Sequence, residues 1–306
     1  MKKILIASKS FRAIWPEEEL KNKFAEIGFE ADTKPFAQAS YPIAEYDCIV
    51  AGTDHINKEV MDAAKNLKAV IKFGVGLDGI DTEYAKEKGI AVGNLPAVNS
   101  NAVAEFALSL TLSLTRRVTV GDREVKNNNW PRLLGSSLRG KTIGILGTGN
   151  IGCTLAHLLS GFNVKILGYD MYENDRFKNE GGTYSSLENI LESADIISIH
   201  LPLLDSTRHL ISENELNKMK KSSLLINTAR GGLVDEDALY KALTEGKIAG
   251  AALDVLEHEP AIESPLIKLD NVIVTPHIAA YDDTTLNEMG LKCVETVKNM
   301  FIELGE

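Results

Sequence analysis

Short apolar runs alternate with stretches of helical periodicity along almost the whole chain. This alternation is typical of βα units, in which helices cover both faces of a parallel sheet. Amphipathic segments at Glu17–Ile27 and Thr82–Lys88 predict helices in the first third, the second of them ending before Gly89. The strands predicted around them are Lys3–Ala7, Glu30–Thr33, Asp47–Ala51, Ala69–Phe73 and Ala91–Gly93.

A second and longer series of strands begins after Lys141. Its predicted strands are Thr142–Leu146, Val164–Tyr169, Ile196–His200, Leu224–Asn227, Ala251–Val255 and Val272–Thr275. Leu286–Leu304 predicts a last helix, which we expect to return to the first domain. The pattern therefore predicts an α/β fold with two Rossmann-like domains. In it, a doubly wound parallel-sheet domain of residues 99–280 is inserted into a smaller, flavodoxin-like domain of residues 1–98 and 281–306.

The segment from Asn101 to about Val118 predicts a long helix that is apolar on nearly every side. A helix of this kind has to be covered by more than one surface. We expect one face to pack on its own domain and another on a second subunit, so that residues 101–118 form the interface of a homodimer.

The composition is that of an ordinary soluble globular protein, with 306 residues, 44% hydrophobic and 25% charged. A net charge of −10 argues against a nucleic-acid or anionic membrane partner. Cys48, Cys153 and Cys293 are scattered and form no metal-binding motif, which indicates free thiols in a reducing compartment and no metal site. Because no segment is long and apolar enough to span a bilayer, we expect a cytoplasmic protein.

A dinucleotide-binding motif follows the first strand of the second series. Residues 147–152 read G-T-G-N-I-G, between an apolar strand and an apolar-periodic helix. The motif predicts that Gly147, Gly149, Asn150, Ile151 and Gly152 receive a pyrophosphate at the helix N-terminus. Asp170 ends the next strand, where a carboxylate binds the ribose 2′-hydroxyl. Its charge repels a 2′-phosphate and residues 171–173 include no Arg, so the predicted cofactor is NAD rather than NADP.

Three reactive side chains follow later strands of the same series. Arg230, Glu259 and His277 each lie past a strand end, where ligands of open parallel sheets bind. Each type of residue is common on protein surfaces, so the prediction of a site depends on their joint occurrence. Hydride transfer at an alcohol or ketone needs a proton acceptor or donor, which His277 can be near neutral pH. Glu259 can orient the imidazole, while the planar fork of Arg230 can bind a carboxylate and polarise the C2 oxygen.

These segments resemble the D-2-hydroxyacid dehydrogenase family. The matching stretches are residues 75–81, 99–105, 227–235, 254–260 and 275–279. The resemblance implies a catalytic set of Arg230, Glu259 and His277 in an NAD-dependent enzyme acting on a small anionic D-2-hydroxy acid or its 2-keto acid. It implies that residues 99–280 are the NAD-binding domain, that the other domain binds substrate, and that the cleft between them closes. The residues that it places along the cofactor are His200, Leu201, Pro202, Thr207, Thr228, Ala229, Asp254 and Ala279.

Within the family, the chain is most similar to phosphoglycerate dehydrogenases, with hydroxypyruvate or glyoxylate reductases as the alternative. The resemblance implies that backbone N–H groups near Val75 and Gly76 hold the substrate carboxylate. Lys72 is a candidate partner for a substrate phosphate or, equally, a solvated lysine at a strand end. The apolar or small residues at 50–53 argue against phosphoglycerate, because those enzymes often carry an Arg there.

A different class of function is also compatible with the sequence. An NADH-sensing protein that resembles the family's corepressors would bind the cofactor, retain these residues and show little turnover. An L-specific dehydrogenase built on a single dinucleotide fold is disfavoured, because a complete α/β domain precedes the glycine motif at Gly147.

Overall fold

The structure is a computed structural model that describes residues 1–35 and 43–305. The chain divides into two compact units. Unit 1 comprises Met1–Asn99 and Tyr281–Glu306, and unit 2 comprises Ser100–Ala280. Residues 36–42 and 306, which the predicted first domain includes, lie outside the described residues.

Strands and helices alternate through both units. The strands are β1 Lys2–Ile6, β2 Phe29–Asp32, β3 Cys48–Ala51, β4 Ala69–Lys72, β5 Ala91–Gly93, β6 Thr142–Leu146, β7 Lys165–Tyr169, β8 Gly182–Tyr184, β9 Ile196–Ile199, β10 Leu224–Asn227, β11 Gly250–Leu253 and β12 Val272–Val274. The helices are α1 Lys9–Arg12, α2 Glu17–Ala25, α3 Lys58–Ala63, α4 Thr82–Glu87, α5 Ser100–Thr115, α6 Val118–Lys126, α7 Asn150–Leu159, α8 Asp175–Asn179, α9 Leu187–Ser193, α10 Glu213–Lys218, α11 Glu236–Thr244 and α12 Asp283–Glu303.

Unit 1 is a parallel sheet with the strand order β2-β1-β3-β4-β5. This is the flavodoxin-like order, in which the direction of winding reverses between β1 and β3. Every residue of β3 is buried, as expected for a strand covered on both faces. The last helix, α12, packs against this sheet and buries Val297 and Phe301 in its core. Unit 1 is therefore completed by the segment that follows unit 2 in the chain.

Unit 2 is a parallel sheet with the strand order β12-β11-β10-β9-β6-β7-β8. The winding reverses between β6 and β9, whose registers pair Ile143 with Ile196 and Leu146 with Ile199. We call the carboxyl ends of these two strands the switch point of unit 2, and ligands of doubly wound sheets bind there. The two Rossmann-like sheets confirm the predicted fold class.

Several strands and the last helix begin or end a few residues from their predicted bounds, and two local features differ more. The predicted helix 101–118 was wrong at its end, because the chain leaves helix α5 at Thr115 and Arg117 takes a left-handed backbone with φ of 54°. A separate helix, α6, follows, and none of its residues is buried. Strand β8 was not predicted, since Gly182–Tyr184 is too short to show an alternating pattern.

The hydropathy of the helices and the state of the cysteines are also defined. No helix in residues 1–35 and 43–305 is both long and apolar enough to cross a membrane. Cys48, Cys153 and Cys293 are buried free thiols. Burial raises the pKa of the Cys153 thiol, which keeps it protonated.

Candidate active site

The glycine motif forms the turn between β6 and α7 at the switch point of unit 2. Gly147 has a φ of 99°, and a Cβ there would lie 2.5 Å from the backbone carbon of His200. A Cβ on Gly152 would lie 2.1 Å from the carbonyl oxygen of Gly147, so only glycine allows this close packing of helix on strand. Apart from its immediate surroundings along the chain, no described residue has an atom within 4 Å of a Cβ built on Gly149, the exposed N-cap of α7. The turn is thus closed towards the sheet and open where a pyrophosphate would approach; Asn150 and Ile151 form the first turn of α7.

Asp170 lies at the end of β7, beside this turn. Its Oδ2 accepts a hydrogen bond of 2.6 Å from the backbone N–H of Thr148, and its Oδ1 accepts one of 2.7 Å from the N–H of Met171. The half-buried carboxylate is therefore held by the backbone on both oxygens. A fixed acceptor at the end of the second strand fits the ribose hydroxyls of NAD.

Two buried polar atoms near the switch point have no hydrogen-bond partner among the described residues, the Nδ1 of His200 and the Oγ1 of Thr228. The Nε2 of His200 lies 2.8 Å from the Oγ of Ser198, and burial of the ring lowers the pKa of His200 to about 4. Neutral His200 follows β9, the strand that pairs with β6, and Thr228 follows β10, the next strand of the sheet. Buried polar groups are normally satisfied, so these two atoms fit a site completed by a polar ligand such as the dinucleotide.

His277 and Glu259 form a hydrogen-bonded pair in unit 2. The Nδ1 of His277 lies 2.8 Å from the Oε2 of Glu259, with side chains 44% and 34% exposed. Burial opposes ionisation of Glu259, but the hydrogen bond and charge of His277, a backbone N–H from Leu256 and the charge of Arg230 outweigh it, so the pKa of Glu259 is lowered. A carboxylate on Nδ1 leaves Nε2 as the nitrogen that can exchange a proton with a ligand.

The backbone at His277 is unusual for a residue with a side chain. Its φ is 55°, in the left-handed region that glycine favours. Its N–H donates to the carbonyl of Asp254 at 2.9 Å, which holds the residue in this conformation. Conformations of this kind are costly and are found preferentially at functional sites.

Arg230 follows β10 and is placed by a small network. The amide of Asn227 donates to the Arg230 carbonyl at 2.8 Å and accepts from the N–H of Ala229 at 3.0 Å. The guanidinium donates to the carbonyl of Ala229 at 2.7 Å. Its positive charge is one of the causes that lower the pKa of Glu259. The structure thus brings Arg230, Glu259 and His277 together within unit 2. Asn227, only 1% exposed, is a positioning residue that the sequence analysis did not single out, although it opens the matching segment.

Asp254, which the resemblance places along the cofactor, is buried and bonds other residues of unit 2. It is 1% exposed and accepts hydrogen bonds from Thr275 Oγ1 and from the N–H groups of Ile278 and Ala279, at 2.6, 2.9 and 2.8 Å. Burial outweighs these bonds and raises the pKa of Asp254. Its carboxylate therefore shapes the loop that carries His277.

The other predicted cofactor residues lie in loops of unit 2. Thr207 closes the turn after β9, where its hydroxyl donates to the carbonyl of Pro202 at 2.7 Å. Leu201 and Ala279 are buried, at 8% and 6% exposure, whereas Ala229 is half-buried.

Lys72, Val75 and Gly76 belong to unit 1. The Lys72 ammonium donates to the carbonyl oxygen of Gly52, so this side chain is paired with its own unit rather than solvated. Val75 is 40% exposed, and its carbonyl accepts a hydrogen bond of 2.6 Å from the side chain of Asn94.

Comparisons with known proteins agree with this geometry. The family model for the NAD-binding domain of D-isomer-specific 2-hydroxyacid dehydrogenases matches residues 108–279. A glyoxylate reductase of Thermofilum pendens is 48% identical over 237 residues, 74% of this chain and 70% of that protein. A D-3-phosphoglycerate dehydrogenase of Archaeoglobus fulgidus is 38% identical over 291 residues, 92% of this chain and 55% of that protein.

A solved structure is also similar over nearly the whole chain. The crystal structure of D-lactate dehydrogenase from Aquifex aeolicus, complexed with NAD and lactic acid, matches with a TM-score of 0.86 and 31% sequence identity, covering 99% of this chain and 96% of that one. The chain belongs to the D-isomer-specific 2-hydroxyacid dehydrogenase family of NAD-dependent oxidoreductases.

Proposed function

We propose that the protein reduces a small, unphosphorylated 2-keto acid, glyoxylate or hydroxypyruvate, to the corresponding 2-hydroxy acid with NADH. The observation that carries the proposal is the 2.8 Å pair between His277 and Glu259, together with the nearby charge of Arg230. A proton donor, a group that orients it and a cation for the substrate carboxylate are the set that ketone reduction requires.

The residues divide the chemistry as follows. Bound NADH supplies the hydride that C2 of the keto acid receives. Gly147, Gly149 and Asp170 would hold the dinucleotide, with the unpartnered hydroxyl of Thr228 as a further contact. His277 gives its Nε2 proton to the C2 oxygen as that oxygen gains charge, which completes the alcohol.

The other two residues act on the substrate and on His277. Arg230 binds the substrate carboxylate and polarises the carbonyl, because its planar fork matches two oxygens at once. Glu259 holds the ring through Nδ1 and stabilises the charged imidazolium before the proton is transferred.

The hydrogen bond of Lys72 supports the proposal that the substrate carries no phosphate. Its ammonium already donates to the Gly52 carbonyl, so this group serves the end of unit 1's sheet. The 48% identical relative is named a glyoxylate reductase, which agrees with this choice. D-3-phosphoglycerate is the second candidate, because a relative of that name is 38% identical over 92% of this chain.

The proposal is tested by following NADH absorbance with purified protein and separate 2-keto acids. The panel contains glyoxylate, hydroxypyruvate, hydroxypyruvate 3-phosphate and pyruvate, each assayed with NADH and NADPH. We expect the largest kcat/KM with glyoxylate or hydroxypyruvate. A preference for the 3-phosphate would establish the second candidate. Tight NADH binding with no turnover across the panel would favour an NADH-sensing protein instead.

We further propose that the protein forms a homodimer through α5, α6 and the segment that follows them. Val118 is 55% exposed, Trp130 84% and Leu134 91%, which is unusual for large apolar side chains grouped in one stretch. A second copy of the same surface would cover them in a symmetric interface.

Light scattering after size-exclusion chromatography tests the dimer. We expect the native protein at twice the chain mass and the double variant Trp130→Ala/Leu134→Ser largely at the chain mass at micromolar concentration. Ile262→Ser, which changes an exposed apolar residue elsewhere in unit 2 (72% exposed), is the matched control. A native protein of single-chain mass would contradict the proposal.

A further inference from the structure

A chain of hydrogen bonds connects Asp170 to the edge strand β8. We infer that Tyr184 is a positioning residue that acts through Thr148 to hold Asp170, and thereby sets the preference for NADH over NADPH. The inference rests on the proposed role of Asp170 at the ribose. Neither Thr148 nor Tyr184 belongs to the catalytic set.

The direction of this hydrogen-bond chain follows from its last acceptor, because the carboxylate of Asp170 can only accept and Thr148 Oγ1 therefore donates to it. The backbone N–H of Asn174 donates to the Tyr184 hydroxyl at 2.7 Å, and a backbone N–H can only donate. The Tyr184 hydroxyl lies 2.6 Å from Thr148 Oγ1, which in turn lies 3.3 Å from Asp170 Oδ2. All groups are satisfied when the proton of Tyr184 points to Thr148 and that of Thr148 points to Asp170. The chain therefore ends with a donor on the carboxylate.

Thr148 joins the phosphate turn to the ribose carboxylate. It is the second residue of the glycine motif and is 1% exposed. Its N–H donates to Asp170 Oδ2 at 2.6 Å, and its carbonyl accepts from the side-chain amide of Asn174 at 3.0 Å. Because the backbone and the hydroxyl of one residue both bond the same carboxylate oxygen, a change at the hydroxyl alters the orientation of the carboxylate.

Packing holds the Tyr184 ring in place. Its centroid lies 5.3 Å from that of Phe177, which is fully buried. Phe177 occupies the space that Cβ atoms on Gly168 and Gly182 would need, at 2.4 and 2.2 Å from its ring. The two glycines on β7 and β8 therefore leave room for Phe177, whose ring packs against that of Tyr184.

The consequence is a carboxylate that resists rotation. Donors bond both oxygens of Asp170, so the carboxylate keeps its orientation towards a ribose and its charge opposes a 2′-phosphate at the same place. Without the hydroxyl chain, Asp170 keeps its two backbone donors but loses the third donor, so its orientation is restrained less tightly. NADH then loses well-aligned hydrogen bonds while NADPH meets less repulsion, so the two affinities move in opposite senses.

The test compares dissociation constants of NADH and NADPH, measured by fluorescence titration of the purified protein without keto acid. Tyr184→Phe keeps the ring and removes the hydroxyl, and Thr148→Val removes the second hydroxyl of the chain. We expect each variant to weaken NADH binding about three- to tenfold, which is the range for one lost hydrogen bond. The dissociation constant of NADPH divided by that of NADH should fall by at least the same factor. Because both break one chain, the double variant should match either single variant.

The matched variants separate this role from a general structural one. Thr148→Ser retains the hydroxyl and should keep the native ratio, as should Tyr240→Phe on α11. Unchanged ratios in Tyr184→Phe, or equal losses for both dinucleotides, would overturn the inference. The readout is cofactor binding alone, so it remains decisive if no keto acid in the panel is reduced and the proposed function fails.

Discussion

The two sheets share parallel topology and a reversal of winding, yet their switch points differ in how their polar groups are used. In unit 1, between β1 and β3, Ser8 Oγ accepts from the N–H of Phe11, and Gly52 bonds Asp54 through its N–H and Lys72 through its carbonyl. In unit 2, Gly149 is open, and His200 and Thr228 keep buried polar atoms without a partner among the described residues. Unit 1 also holds buried polar atoms without a partner among the described residues, Arg12 Nε on α1 and Asn99 Oδ1, so the open glycine turn is what distinguishes the switch point of unit 2 as a place for a ligand.

The largest effect should come from removing the proton donor in unit 2. His277→Ala is expected to lower kcat for keto-acid reduction at least about 10²-fold, because general acid catalysis contributes that much, while the NADH dissociation constant stays within twofold. Steady-state kinetics measure kcat, and fluorescence titration measures the NADH dissociation constant. His157→Ala is the control, since His157 also pairs with a glutamate at 2.8 Å, at the end of α7. Equal kcat values for His277→Ala and the native protein would contradict the proposed mechanism.

Glu259→Gln should shift the pH dependence of the reaction. The variant replaces the carboxylate that lies 2.8 Å from Nδ1 of His277, and stabilises its charged form, with a neutral amide. The alkaline limb of ketone reduction should therefore move to lower pH. Glu180→Gln changes the matching His157 pair and should leave the limb in place. A limb that does not move in Glu259→Gln would contradict the orienting role.

The same variant has a smaller effect on stability, with a sign set by the lowered pKa of Glu259. A carboxyl whose pKa is lower in the folded protein stabilises it above the ordinary carboxyl pKa and loses that contribution as the pH falls. The difference in unfolding free energy between the native protein and Glu259→Gln should therefore shrink below about pH 4. Denaturant unfolding at pH 7 and pH 3.5 measures it, and a difference that grows in acid would contradict the assignment.

Lys72→Met tests whether Lys72, at the switch point of unit 1, stabilises the fold or binds a substrate phosphate. Since the ammonium bonds the Gly52 carbonyl, we expect the unfolding free energy to fall by about 1–2 kcal/mol. Any rise in KM should be the same for hydroxypyruvate and for its 3-phosphate. Lys86→Met, on the exposed surface of α4, is the control. A selective loss of the phosphorylated substrate would instead assign Lys72 to a phosphate.

The smallest effect is expected at Ser8. This residue is the N-cap of α1, and Ser8→Ala should lower the unfolding free energy by about 1 kcal/mol without changing kcat or the NADH dissociation constant. Urea denaturation and the keto-acid assay measure these quantities. A change in kcat or in the NADH dissociation constant larger than twofold would show that the switch point of unit 1 also takes part in function.

Much of the fold and of the candidate site follows from local sequence. Apolar runs predicted β6 and β10 with their observed ends, because a strand buried on both faces is largely apolar. The glycine motif predicted the turn at Gly147, because a φ of 99° and contact with His200 exclude a side chain. The positions of Arg230, Glu259 and His277 after strands predicted that they share one sheet edge, since parallel strands end on the same side.

Other features were decided only by contacts between distant parts of the chain. Strand β8 exists because three residues pair with β7, and Asp254 faces inward because residues 275–279 offer it donors. The pairing of Lys72 with Gly52 and of Tyr184 with Thr148 likewise joins segments 20 and 36 residues apart. The sequence by itself thus determined the βα architecture and the cofactor, and it predicted the candidate reactive residues, because these depend on periodicity and residue type. The tertiary structure decided which polar groups satisfy one another and which remain for a ligand, because hydrogen-bond partners are set by proximity in space.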